Sequence, residues 1–221
     1  MPEIIERLKV DDAREVTAIL GQAEGPSSGW TFIYAPGASS GVNDPFGEYA
    51  CRFLAERGFA AVRFQFPYVE AGQKGPDRPP VLEATWRAAI AAYREEGRRL
   101  VIGGRSMGGR IASRVVADGA SVDALALFAY PLHPPRAPDQ WRDQHLPSIQ
   151  APTLFCSGTR DTFGSPDELR QAATKAPRST VHLMEEADHG FSVRKSSGRT
   201  RQDVYDEAAG AFVGWLEALK V

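Results

Sequence analysis

The stretch that decides the fold is Val101–Arg110, VIGGRSMGGR, an apolar run leading into two glycine pairs set around one serine. A helical pattern follows at once. Met107, Ile111, Ala112, Val115 and Val116 share one face, and Asp118-Gly119 ends it. Gly108 and Gly109 each cost such a helix roughly 1 kcal/mol relative to alanine, so something other than helix stability sets them. With "RLVIGG" (99–104) as a strand, Ser106 stands at a strand-to-helix corner. A corner that sharp strains its apex and needs small residues two positions to either side. Gly104 and Gly108 supply them, in the spacing G-x-S-x-G.

Other glycine-rich loops fit poorly. A phosphate loop starting at Gly104 would reach Gly109 and then place Arg110 and Ile111 where lysine and a hydroxyl residue belong. A dinucleotide fingerprint starting at Gly103 would need glycine where Arg105 stands. A structural glycine turn around an idle serine is the bland alternative.

A serine hydroxyl is a weak nucleophile until a base takes its proton and a third group orients that base. The corner therefore predicts a carboxylate and a histidine after later strands. "PTLFCSGTRD" (152–161) places Asp161 beyond one apolar run, and "TVHLMEEADHGF" (180–191) places His189 beyond the next. The order Ser106, Asp161, His189 is the one this architecture requires. Asp188 and Glu185 are nearer along the chain, but a tight loop rarely brings such neighbours to the ring Nδ1; Asp161 is preferred. His182 falls inside a strand and reads as structural. His133 and His145 lie in a Pro-rich connection that precedes the acid.

Acyl transfer also needs donors aimed at the developing oxyanion. The amide of Met107, at the helix N-terminus, is one candidate. The second belongs to "PGASSG" (36–41), where Pro36 has no N–H to give. Ala38 is preferred, with Gly37 as the alternative.

Further out, compact apolar runs at 30–35, 60–66, 124–130 and 152–158 read as buried strands, with 180–185 as a last one. Ile4–Val10 and Glu15–Leu20 read as an antiparallel hairpin about Asp11-Asp12. Between the runs lie helices with recognisable ends. Asp44-Pro45 opens one and Gly58 stops it; Leu82 to Tyr93 repeat at helical spacing; Ser165 to Glu168 form a capping box; Val204 to Leu219 make the last. The alternation predicts an α/β fold, a mostly parallel sheet of about eight strands with helices on both faces, in one domain spanning 1–221.

The 221 residues carry a net charge of −2, which leaves no basic footprint for nucleic acid. The charged opening MPEIIERLKV lacks the apolar core of a secretory signal, and no apolar run approaches a membrane span. Cys51 and Cys156 form no metal or redox motif and fit buried thiols. The expectation is a cytoplasmic protein with no metal site, no membrane association and no nucleic-acid partner; oligomeric state is open.

Together, "GGRSMGG", the acid of "SGTRD", the "ADHGF" histidine and the "YAPGASS" loop resemble the α/β-hydrolase superfamily, over nearly the whole chain. Within it the chain is similar to the small, cap-less, dienelactone-hydrolase-like group. That resemblance implies an eight-stranded sheet, a Ser-Asp-His mechanism and no cofactor. Dienelactone hydrolases proper carry a cysteine nucleophile where Ser106 stands, so their substrate is not carried over. The lipase-type His-Gly-Gly-Gly loop is absent. Where a lid often inserts, the chain has only "PLHPPRAPDQWRDQHLPSIQ" (131–150), enough for a rim. Arg105, His133 and Trp141 are expected to bind the substrate, with Arg136 and the loop "PYVEAGQKGPDRPP" (67–80) also bordering the cleft; Arg105, Arg136 and Arg160 point to a small, polar or anionic acyl substrate. The expected function is a serine hydrolase acting on a small-molecule ester or thioester. An idle hydrolase-like scaffold and an amide hydrolase are the alternatives.

Overall fold

The computed structural model describes residues 3–219. Among them, eight strands form one sheet: β1 (Glu3–Lys9), β2 (Glu15–Gly21), β3 (Trp30–Ala35), β4 (Ala60–Phe64), β5 (Arg99–Arg105), β6 (Ala124–Phe128), β7 (Thr153–Gly158) and β8 (Ser179–Met184). Their spatial order is β1-β2-β4-β3-β5-β6-β7-β8. The β1–β2 hairpin pairs antiparallel, β2 runs antiparallel to β4, and the rest of the sheet is parallel. The helices are α1 (Pro45–Ala55), α2 (Pro67–Glu70), α3 (Pro79–Tyr93), α4 (Met107–Ala117), α5 (Pro166–Ala173) and α6 (Arg201–Ala218).

The central strands are buried on both faces, which explains their continuous apolar runs. Alternate residues feed opposite layers. Ile33 and Leu125 pack with Trp86 of α3, Ile111 of α4 and Leu169 of α5. Phe32 and Phe128 pack with Phe46 of α1 and Phe212 of α6. The helix ends are those expected: the Asp44 side chain accepts from Gly47 N, and Ser165 with Glu168 closes a capping box. Cys51 and Cys156 are buried and free.

Two strands are shorter than their apolar runs. β4 stops at Phe64 because Pro67 opens α2, a single helical turn that the apolar pattern did not signal. β6 stops at Phe128 because Ala129 takes a positive φ of 47°. No helix among the described residues is long and apolar enough to cross a membrane.

Candidate active site

The site is built at the C-terminal ends of β3, β5, β7 and β8, where ligands bind in open parallel sheets. Ser106 sits between β5 and α4 with φ 52° and ψ −117°, a backbone conformation that costs roughly 1–3 kcal/mol and must be held by its surroundings. The holding contacts are visible. Ser106 N donates to Phe128 O at 2.8 Å, and Arg110 N donates to Ser106 O at 3.0 Å. A Cβ on Gly104 or on Gly108 would lie 2.2 Å from Ala35 O, so both glycines are required by the approach of β3.

Asp161 and His189 converge on that serine. His189 Nε2 lies 2.9 Å from Ser106 Oγ, and His189 Nδ1 lies 2.8 Å from Asp161 Oδ2. The Asp161 carboxylate is fully buried. It also accepts from Phe163 N at 2.8 Å and from Ser157 Oγ at 3.1 Å. These donors satisfy oxygens that burial has cut off from water. The nearer Asp188 is occupied elsewhere: its Oδ1 accepts from Gly190 N and Ser192 N, both at 2.8 Å, and so shapes the histidine loop. Phe191, wholly buried against Phe46, anchors that loop in the core. The Phe163 ring stacks on His189 with centroids 4.1 Å apart.

Gly37, Ala38 and Met107 line the same cleft, whose volume is about 510 Å³. No backbone carbonyl among the described residues accepts from the amides of Ala38 or Met107. The loop carrying Ala38 is fixed from outside. Tyr68 Oη donates to Ala38 O at 2.7 Å, and Arg63 Nε donates to Val42 O at 2.7 Å.

The expected substrate contacts divide. Arg105 reaches the cleft, but its guanidinium donates to Asp44 Oδ1 at 2.8 Å, and Asp44 in turn accepts from Tyr34 Oη at 2.6 Å. His133 and Trp141 do not line the cleft. His133 is buried; its Nδ1 lies 3.0 Å from Pro134 O and its Nε2 3.4 Å from Glu168 of α5. Trp141 donates to Pro138 O and packs on the core layer of α3, α4 and α5. The reason is that Leu132, Leu146 and Ile149 of the same connection are fully buried and draw it inward. Arg136 and Arg160 are also outside the cleft lining; Arg160 donates to Glu186 O. His145 lies 2.7 Å from Ser113 Oγ, and burial, then Arg114 and Arg110, pull its ring down to about 4. His182 bonds Glu207 at the surface of α6.

Lys74, from the loop 67–80 expected to border the cleft, and Arg142, from the segment 131–150 expected to form its rim, do line it; Arg110 and Phe163 line it as well, without having been expected to. Of the latter two, only Arg110 carried a signal, standing one helical turn after Ser106.

An eight-stranded, mostly parallel sheet with a strand-to-helix serine defines the α/β-hydrolase architecture. The family model described as "Alpha/beta hydrolase domain" matches residues 28–217, and the chain belongs to that family. Among solved structures it is similar to XC6422 from Xanthomonas campestris, described as an α/β serine hydrolase without a lid. That match has 19% identity and a TM-score of 0.73, covering 99% of this chain and 97% of that one. It is also similar to a dienelactone hydrolase from Anabaena variabilis (18% identity, TM-score 0.70, 96% and 97% covered). A third is the thermophilic esterase Est2 from Thermogutta terrifontis, solved with propionate bound (17% identity, TM-score 0.71, 99% and 96% covered). At these identities the likeness is one of fold, and it extends over nearly the whole length of each chain.

Proposed function

We propose that the protein is a serine hydrolase that cleaves a small carboxylic ester or thioester through an acyl-enzyme on Ser106. The observation that carries this reading is the unbroken relay from the Ser106 hydroxyl through both nitrogens of His189 to the buried Asp161. The Asp161 carboxylate accepts a hydrogen bond from His189 Nδ1–H, which holds the ring in the tautomer that leaves Nε2 unprotonated as the base. Ser106 Oγ then bonds to the substrate carbonyl carbon while its proton passes to His189 Nε2. The carbonyl oxygen becomes an oxyanion facing the amides of Ala38 and Met107, each donor being worth roughly 3 kcal/mol of barrier. Collapse breaks the bond to the leaving oxygen or sulfur, which takes the proton from His189. Water repeats the cycle at the acyl carbon and releases the acid. One structural neighbour, an esterase solved with propionate bound, is in keeping with a small acyl group.

The test is intact-mass labelling with a fluorophosphonate. One adduct is expected on Ser106, lost in Ser106→Ala and strongly slowed in His189→Ala. No adduct, or equal labelling of both proteins, would favour an idle scaffold over an enzyme.

A further inference from the structure

The cleft that holds Ser106 is lined by Lys74, Arg105, Arg110 and Arg142, and by no Asp or Glu among the described residues. Such a lining is electrostatically unfinished. Arg105 has a counter-ion in Asp44, and Arg114, one turn beyond Arg110 on α4, has one in Glu83 at 2.7 Å. Arg110 and Arg142 have none among the described residues. The Nε atoms of Arg105 and Arg110 are buried without a hydrogen-bond partner, an arrangement that ordinarily costs free energy. Arg142 spends its backbone on anchoring: its N–H donates to Leu132 O at 2.7 Å and its carbonyl accepts from Tyr130 Oη at 2.6 Å. Its guanidinium makes one long bond, 3.3 Å to Pro131 O. Burial first, then the charge of Arg142, pulls the Arg110 guanidinium below its ordinary range. Two cations held this way gain most from an oxyanion brought in with the substrate, because charge-assisted pairs strengthen where water is excluded.

We propose that the substrate carries a carboxylate or phosphate-type oxyanion, apart from the scissile ester, that seats on Arg110 and Arg142 with Lys74 at the rim. This rests on the serine-hydrolase reading and narrows it to anionic esters or thioesters. The anion belongs to either the acyl or the leaving portion. Arg105, already neutralised, serves the loop around Asp44.

The experiment compares matched substrates. Mono-4-nitrophenyl glutarate is set against 4-nitrophenyl pentanoate for an acyl-side anion, and 5-acetoxy-2-nitrobenzoate against 4-nitrophenyl acetate for a leaving-side anion. In one pair the anionic ester should be preferred in kcat/KM by about tenfold or more, the scale of one charge-assisted contact. Arg110→Gln/Arg142→Gln should bring that ratio to near parity, and Arg110→Lys should keep part of it. Arg57→Gln, at the opposite end of the strands, should leave the ratio unchanged. A ratio below twofold in both pairs, or one that the double variant retains, overturns the proposal. Fluorophosphonate labelling of the same samples separates the two readings. A Ser106 adduct without anion preference sinks only the subsite, whereas absence of an adduct sinks the hydrolase reading and the subsite with it. Should the double variant fold poorly, calorimetric titration of Ser106→Ala with glutarate and with neutral dimethyl glutarate decides the same question. Only glutarate should bind; equal binding of both, or of neither, overturns the subsite.

Discussion

The phenol of Tyr68 donates to the carbonyl of Ala38 at 2.7 Å, tying the start of α2 to the loop that follows β3. Burial, then the charge of Asp77, pushes that phenol up to about 12, so it remains a donor throughout the working range of the protein. Tyr68 touches no reacting atom in the proposed mechanism; it is a positioning residue for the Ala38 amide. Tyr68→Phe should lower kcat about fivefold, the equivalent of one hydrogen bond of about 1 kcal/mol, with KM less affected. Steady-state kinetics with a nitrophenyl ester checks this, and a change in KM alone would contradict it.

Asp161→Asn should preserve the fold and remove most of the activity. An amide at this position favours the wrong tautomer of His189, and the expected loss in kcat is on the order of 10⁴-fold. Asp188→Asn should have a far smaller effect, because the amide oxygen still accepts from the Gly190 and Ser192 amides. Comparable losses in both variants would point away from Asp161.

Gly108→Ala tests the corner itself. The added methyl would lie 2.2 Å from Ala35 O and 2.5 Å from Pro36 O, backbone atoms that cannot swing aside. A destabilisation of about 3 kcal/mol, at the upper end of overpacking costs, is expected in urea unfolding. Gly210→Ala is the control, since its Cβ would meet nothing within 4 Å inside α6. There alanine should stabilise by up to about 1 kcal/mol.

Glu70 supplies a pH-dependent clamp between α2 and the β1–β2 hairpin. Burial by itself would raise its carboxyl, but hydrogen bonds from Arg7, Gln65 and Thr17 hold it at about 2. A carboxyl depressed on folding adds stability above its unfolded value of about 4.3, and that contribution fades as the pH falls through the folded value near 2. Glu70→Gln should therefore melt below the wild type at pH 7, and the gap should narrow from pH 5 towards pH 2. A gap independent of pH would show that the charge does not matter.

Much of this was legible in the chain itself, for a physical reason. Strands buried on both faces and helices with side-chain caps are locally encoded, so "WTFIYA" and Ser165 to Glu168 read directly as the elements they form. The corner at Ser106 was readable because only glycine fits against Ala35 at positions 104 and 108, and those two letters flank the serine at fixed spacing. His133 and Trp141 were misplaced because segment 131–150 has no periodicity; its course is set by burial of Leu132, Leu146 and Ile149 in a core they do not adjoin in sequence. The individual roles of Tyr68, Arg142 and Phe163 escaped notice for a related reason. Each acts on a partner that only the assembled sheet brings near.

The burial of Cys51 and Cys156 has a practical consequence. Loss of solvent raises the Cys51 thiol to about 12 and raises that of Cys156 as well, so neither offers a thiolate at neutral pH. Ser39, exposed at the mouth of the cleft, could then be replaced by cysteine and coupled to a maleimide dye in the otherwise native sequence. Such a fluorophore would follow ligand arrival in real time, with both original sulfurs left where they are.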